Sequence, residues 1–351
     1  MITISLCMIV KNEEATLSRC LDSVRDLVDE IVLVDTGSTD RTVEIARRYT
    51  DRIFYFPWRD DFAAARNYSF DQARMDYCLW LDADDVLEPE DRQRFRRLKD
   101  TLPSDTDIVM LPYHAAFRED GTPTFTYDRE RLIRRATGLR WTGAVHEAIA
   151  PVGIVRHGDA AVSHRKTGPG DPDRNLRILE KLRSERPLEP RECFYYAREL
   201  TYHGRDTEAV EAFEQFLNHG GGWYADCVQA CMDLAECRKR LGQADLVFPA
   251  LTTGLRYAPP SSELCCAIGH WLVEHQQWQA AAYWYTQALE RPVSVGFTVP
   301  DCHHYIPMLQ LCVCTYQLGD REASEKWNEA AAAIHPDSDI CARNRAFFGK
   351  S

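Results

Sequence analysis

The segment Leu79-Trp80-Leu81-Asp82-Ala83-Asp84-Asp85 follows an apolar run and places three carboxylates within four residues. In an extended chain alternate side chains point the same way, so Asp82 and Asp84 share one side and Asp85 lies beside them. Carboxylates that close repel one another unless a cation sits between them, and their hard oxygens suit a divalent ion. Such an ion bridging a diphosphate would satisfy both the acids and a leaving phosphate. Two more polar clusters end apolar runs: Lys11-Asn12-Glu13-Glu14, and Asp35-Thr36-Gly37-Ser38-Thr39-Asp40. Ligands of open α/β sheets bind at the carboxyl ends of the strands, so three such clusters predict one shared rim.

The elements that must position this rim can be read from periodicity. Ile2 to Val10, Glu30 to Val34, Arg52 to Phe56 and Tyr77 to Leu81 read as strands. Between them, Leu17, Leu21, Val24 and Val28 recur at helical spacing, a second helix carries Val43, Ile45 and Ala46 with Thr39 or Asp40 as its cap, and a third spans Phe62 to Ala73. Strand and helix in alternation predict a Rossmann-like α/β domain with a mostly parallel sheet. Further on, Val162-Ser163-His164-Arg165 reads as a last strand and its exit.

Past Pro187 and Pro190 the strand signals stop. Alanine and aromatic residues recur at helical periods, and Gly204, Gly242 and Gly319 each separate two helix-like segments. Small residues let paired helices approach, glycine closes the turn and proline stops the second helix. The units Tyr195 to Leu217, Met232 to Tyr257 and Leu309 to Ile334, with a degenerate copy around Trp271 to Leu289, resemble the tetratricopeptide repeat. The expected division is an α/β domain over residues 1–186 and an all-α repeat domain over 187–351. Cys302-His303-His304 and Cys312-Val313-Cys314 match no closed zinc spacing and read as helix packing. Trp223, Trp271, Trp278 and Trp284 read as core or as an interface, and such helix stacks commonly bind extended peptides or a second copy.

The 351 residues carry 42 Lys and Arg against 54 Asp and Glu, a net charge of −12. A broadly acidic surface is repelled by phosphate, which argues against nucleic-acid and anionic-membrane partners. No apolar run approaches the roughly 20 residues needed to span a bilayer. No leader pattern opens the chain, so a cytoplasmic location is the expectation. Thirteen cysteines, three before residue 185 and ten after it, are too dilute for a disulfide scaffold and read as buried thiols.

Taken together, Ser5 to Glu14, Ile31 to Asp40 and Trp80 to Asp85 resemble the family 2 glycosyltransferases of the GT-A fold, over Met1 to about His164. The resemblance implies a UDP-sugar donor, a divalent metal (Mn2+ or Mg2+) and inversion at the anomeric carbon. By motif match, Asp35 would hold the uracil or ribose, Asp82 the ribose or metal-bound diphosphate, and Asp84 the metal, with Asp82 and His164 as further ligands. Val10, Asn12, Glu14 and Ala83 would line the same nucleotide-sugar site. The stretch Trp58 to Asn67 resembles a subset of the family: Arg66 would meet a phosphate or uracil oxygen and Asp61 the base, unless Asp61 only caps the helix and Arg66 is solvated. Arg140 to Ile149 resembles an acceptor-side segment, with Glu147 as general base and His146 lining the diphosphate or orienting Glu147. Transferases joining these two modules imply a peptide or protein acceptor. A cell-surface polysaccharide or lipopolysaccharide acceptor is the alternative, and a nucleotide-binding repeat scaffold without turnover is the non-enzymatic one.

Overall fold

The computed structural model describes residues 2–118, 121–168, 170–292 and 298–349, and divides into two compact units, Met1–Lys181 and Leu182–Ser351. In the first, β1 (Ile4–Val10), α1 (Leu17–Val24), β2 (Glu30–Asp35), α2 (Thr42–Ala46), β3 (Ile53–Tyr55), α3 (Phe62–Asp71) and β4 (Tyr77–Trp80) alternate. There follow β5 (Asp85–Val86), α4 (Pro89–Thr101), β6 (Ile108–Phe117), β7 (Pro123–Arg134), β8 (Val155–His157), β9 (Val162–His164) and α5 (Arg174–Glu185).

Strands β3-β2-β1-β4 are parallel neighbours, as the alternation predicts. The sheet then becomes mixed: β7 runs antiparallel to both β4 and β6, and the order continues β6-β9-β5, with β8 beside β6. The long hairpin of β6 and β7 is what a purely alternating pattern misses. β1 is buried at every position but Ile9, as a strand covered on both faces must be. The helical stripe of α1 buries Leu17, Cys20, Leu21 and Val24 against the core that holds Leu6, Met8 and Leu33. Register pairs Val10 with Asp35 and Cys7 with Trp80, so the polar clusters after β1, β2 and β4 all leave from one carboxyl edge.

The second unit is built of helix pairs: α6 (Pro190–Tyr202) with α7 (Asp206–His219), α8 (Tyr224–Arg240) with α9 (Ala244–Thr253), α10 (Ser262–Glu274) with α11 (Trp278–Glu290), and α12 (Tyr305–Gln317) with α13 (Arg321–Ile334). A last helix, α14 (Asp339–Phe348), follows. This is a tetratricopeptide-like stack. Three of the turns within a pair are closed by glycine in the left-handed region, Gly204 at φ 69°, Gly242 at 73° and Gly319 at 86°, where a side chain is disfavoured. In the α10–α11 pair Gln276 occupies that place at φ 58°, which explains why this copy looked degenerate. All four turns are closed by the same two backbone bonds, as in Gly204 N to Thr201 O and Arg205 N to Leu200 O, or Gln276 N to Val273 O and Gln277 N to Leu272 O.

The cysteines are free thiols, buried except for the half-buried Cys193. His303 belongs to a buried polar network, its Nδ1 3.0 Å from Ser262 Oγ and its Nε2 3.2 Å from Glu263 Oε1. No helix among the described residues is long and apolar enough to cross a membrane.

Candidate active site

The loops after β1 and β2 lock onto each other. Asn12, left-handed at φ 56°, accepts from Thr39 N at 2.8 Å through Oδ1, and its own N–H donates to Ser38 Oγ. Glu14 accepts from Arg41 Nε at 3.1 Å. Val10, buried, accepts from Thr36 N through its carbonyl. Asp35 is also buried, and its carboxylate accepts from Ser38 N at 3.0 Å and Gly37 N at 3.2 Å, so it shapes the turn that follows β2. These four residues therefore tie together the loops that leave this edge of the sheet.

Asp61 caps α3, accepting from Ala64 N at 2.8 Å. One turn on, Arg66 is buried rather than solvated. Its Nη2 donates to Asp82 Oδ1 and its Nε to Glu147 Oε1, both at 2.7 Å, and the guanidinium lies over the rings of Trp80 and Trp141 at 4.7 and 5.1 Å. Burial works against its charge, but Asp82 and Glu147 outweigh it and hold Arg66 protonated well beyond the ordinary range. Burial likewise works to raise the Asp82 carboxyl, yet Arg66 with Arg131 and Arg129 holds it below the usual carboxylate value. Arg66 Nη1 is buried with no hydrogen-bond partner. Glu147 sits in a tight turn closed by the Thr142–Ala148 bridge. Gly143 at φ 90° and His146 at φ 52° bend that turn, and a Cβ on Gly143 would meet Val145 O at 3.3 Å. His146 Nε2 lies 3.5 Å from Asn175 Nδ2.

The second cluster is Asp84, Asp85 and His164, whose candidate ligand atoms lie within 4.8 Å of one another. The antiparallel pairing of β5 with β9 sets Asp85 opposite His164. His164 Nδ1 is 3.4 Å from Asp84 Oδ1 and 3.6 Å from Asp85 Oδ1, and the two carboxylates push the imidazole up to about 10. Both His164 Nδ1 and Asp85 Oδ1 are buried without a hydrogen-bond partner. These two orphaned atoms and the Asp84 carboxylate fit a divalent cation of the Mn2+ or Mg2+ kind. Asp82, expected as a further ligand, gives its Oδ1 to Arg66 Nη2, and Asp85 lies in the cluster with Asp84 and His164. Ala83 is buried between them in the chain.

Sequence reasoning passed over Arg131. It is fully buried on β7, donates from Nη1 to Asp85 Oδ2 at 2.9 Å and to Trp80 O at 3.2 Å, and stacks over Trp80 at 3.8 Å. The signal was there in Arg129-Glu130-Arg131-Leu132-Ile133, a run of charges entering an apolar strand. Charge inside a buried strand implies a partner.

Residues 5–159 match the family model described as glycosyl transferase family 2. The SPbeta prophage-derived glycosyltransferase SunS of Bacillus subtilis is 28% identical over 62% of this chain and 54% of its own length. A TPR repeat-containing protein of Synechococcus elongatus is 30% identical over 70% of this chain and 64% of its own. The lipopolysaccharide core biosynthesis glycosyltransferase LpsC of Rhizobium meliloti is 34% identical over 43% and 58%. The chain thus spans between 54% and 64% of the lengths of these curated relatives. Among solved structures, YrrB, described as a TPR protein with an unusual peptide-binding site, aligns with 50% of this chain and 84% of its own at 16% identity and a TM-score of 0.40.

Proposed function

We propose, from the match of residues 5–159 to the glycosyl transferase family 2 model, that this protein is an inverting, metal-dependent transferase moving a sugar from a UDP-sugar to a peptide or protein side chain. The observation that carries the reading is the pair of adjoining clusters at one sheet edge, Arg66–Asp82–Glu147 and Asp84–Asp85–His164.

Asp84, Asp85 and His164 would hold the divalent ion, which when bound neutralises charge on the departing diphosphate. The residues of the chain divide the remaining work. Arg131 fixes Asp85 by one carboxylate oxygen and leaves the other facing His164. Arg66 spans Asp82 and Glu147, so a donor held at Asp82 and a base at Glu147 keep a set separation. Its unpartnered Nη1 is the donor offered to a phosphate or uracil oxygen. Glu147 takes the Arg66 bond on Oε1, and Oε2 would receive the proton of the acceptor nucleophile. Asp35, Asn12, Glu14 and Val10 support the nucleotide end through the interlocked loops, with Ala83 beside the acids. Asp61 acts on the base only if it can leave its cap.

The peptide or protein acceptor is supported by the second unit, because stacked helix pairs present extended surfaces of the sort that take peptides. A carbohydrate acceptor is favoured by the likeness to LpsC, whose name assigns it to lipopolysaccharide core synthesis. UDP release should require Mn2+ or Mg2+ and a UDP-sugar, and Asp84→Ala should abolish it. Tight UDP binding with no turnover of any UDP-sugar would leave the scaffold reading instead. Mass spectrometry of labelled products then separates a glycosylated peptide from an extended glycan.

A further inference from the structure

Within the second unit, a shallow open depression of about 630 Å³ lies where the α10–α11 turn meets the end of α12, bounded there by Leu318. The α11 side is lined by three amides, Gln276, Gln277 and Gln279, and three aromatic rings, Trp278, Tyr283 and Trp284. We infer that it is a binding site for a neutral saccharide of one or a few pyranose units.

Four observations select that ligand. Among the described residues no ionised side chain lines the depression, in a chain where 27% of residues are charged. An anionic ligand would call for arginine or lysine and a cation for carboxylate, so an uncharged ligand is the complement. The rings are not spent on packing: Tyr283 is 60% exposed, and the two indoles are half-buried. Flat, partly wetted rings offer a surface to the C–H face of a pyranose while their polar edges stay hydrated. The amides carry donor and acceptor on one group, as sugar hydroxyls do, whereas an aliphatic peptide side chain would leave all three unused.

The fourth observation is Gln276 itself. It adopts φ 58° where Gly204, Gly242 and Gly319 stand in the sister turns, and it makes the same two turn-closing hydrogen bonds. Glycine therefore serves the turn without strain three times in this molecule. Holding a side chain there runs against backbone preference, and observed strain of this kind points to a role for the side chain. Gln276 is among the residues that line the depression, and contact with the ligand is the role the inference gives it.

The inference deepens the transferase reading by naming a second grip on carbohydrate, and its test measures binding alone, so the two readings fail separately. Full-length protein is titrated with cellobiose, chitobiose and lactose by ligand-observed NMR and tryptophan fluorescence. Saturable binding of at least one disaccharide is expected, weakened roughly tenfold or more by Trp278→Ala and by Gln276→Gly. Gln276→Gly should keep or raise the melting temperature, because it installs the residue of the sister turns, and metal-dependent UDP-sugar hydrolysis should be unchanged in both variants. Absence of saturable binding to all three sugars would overturn the inference. So would binding that neither variant weakens, which would place the sugar elsewhere. Self-association of the protein that Trp278→Ala abolishes would assign the depression to a second copy instead.

Discussion

Asp85 and Arg131 carry opposite charges in a place that water does not reach, both side chains being fully buried and bonded at 2.9 Å. Desolvating two ions costs several kcal/mol each, and their attraction repays this only while both are present. Arg131→Met should therefore destabilise the protein by about 3–5 kcal/mol in denaturant unfolding, because it strands the Asp85 carboxylate. The double variant Asp85→Leu/Arg131→Met should recover much of that loss while remaining inactive. Glu147→Gln keeps an oxygen for Arg66 Nε but cannot take a proton, so kcat should fall about 10²-fold or more with UDP affinity little changed. An unimpaired Glu147→Gln enzyme would make Glu147 a positioning group and send the search for the base to another carboxylate.

At the scale of elements, the cap and the turn make separable predictions. Asp61→Ala should cost about 1 kcal/mol as a lost N-cap and shift the melting temperature, with KM for the donor unchanged if capping is its whole role. Gln276→Gly should gain up to about 1 kcal/mol, because glycine adopts the left-handed region without a Cβ penalty. The parallel strands and α3 were legible in the sequence because runs such as Ile4–Val10 are buried on both faces and read as continuous apolar segments. The β6–β7 hairpin was not. Its outer part alternates and exposes Pro123, Thr124, Phe125 and Thr126, while its inner part buries Glu130 and Arg131, so neither the apolar run nor clean alternation is present. The same hidden strand kept Arg131 out of the expected site. Asp84 and His164 were readable as candidate ligands, yet the Arg66–Asp82 and Arg131–Asp85 pairs beside them were not. Those are contacts between residues 16 and 46 positions apart, which local pattern does not encode.

At the scale of the whole molecule, the division into two compact units gives the proposed transferase a direct test by truncation. A chain ending at residue 189 should still hydrolyse a UDP-sugar in Mn2+ but lose transfer to a peptide or protein acceptor. Equal loss of both would reduce the helical stack to a support. Chelation of divalent cations should stop turnover, and Mn2+ should restore it, with Asp84→Ala giving no recovery at any metal concentration.

The buried thiols bear on how such a molecule can be watched. Burial pushes Cys231 up to about 12 and Cys265 and Cys314 up to about 11, so the reactive thiolate is scarce on two counts, access and ionisation. Ten of the thirteen cysteines lie beyond residue 185, spread over α6, α8, α10, α12 and α14 and the segment before α12. Alkylation of the native protein should then proceed at the rate at which each helix pair opens, with Cys193 labelled first. Followed peptide by peptide, that chemistry turns the native thiols into a clock for local opening of the second unit, with no engineered probe and little interference from the three cysteines of the first.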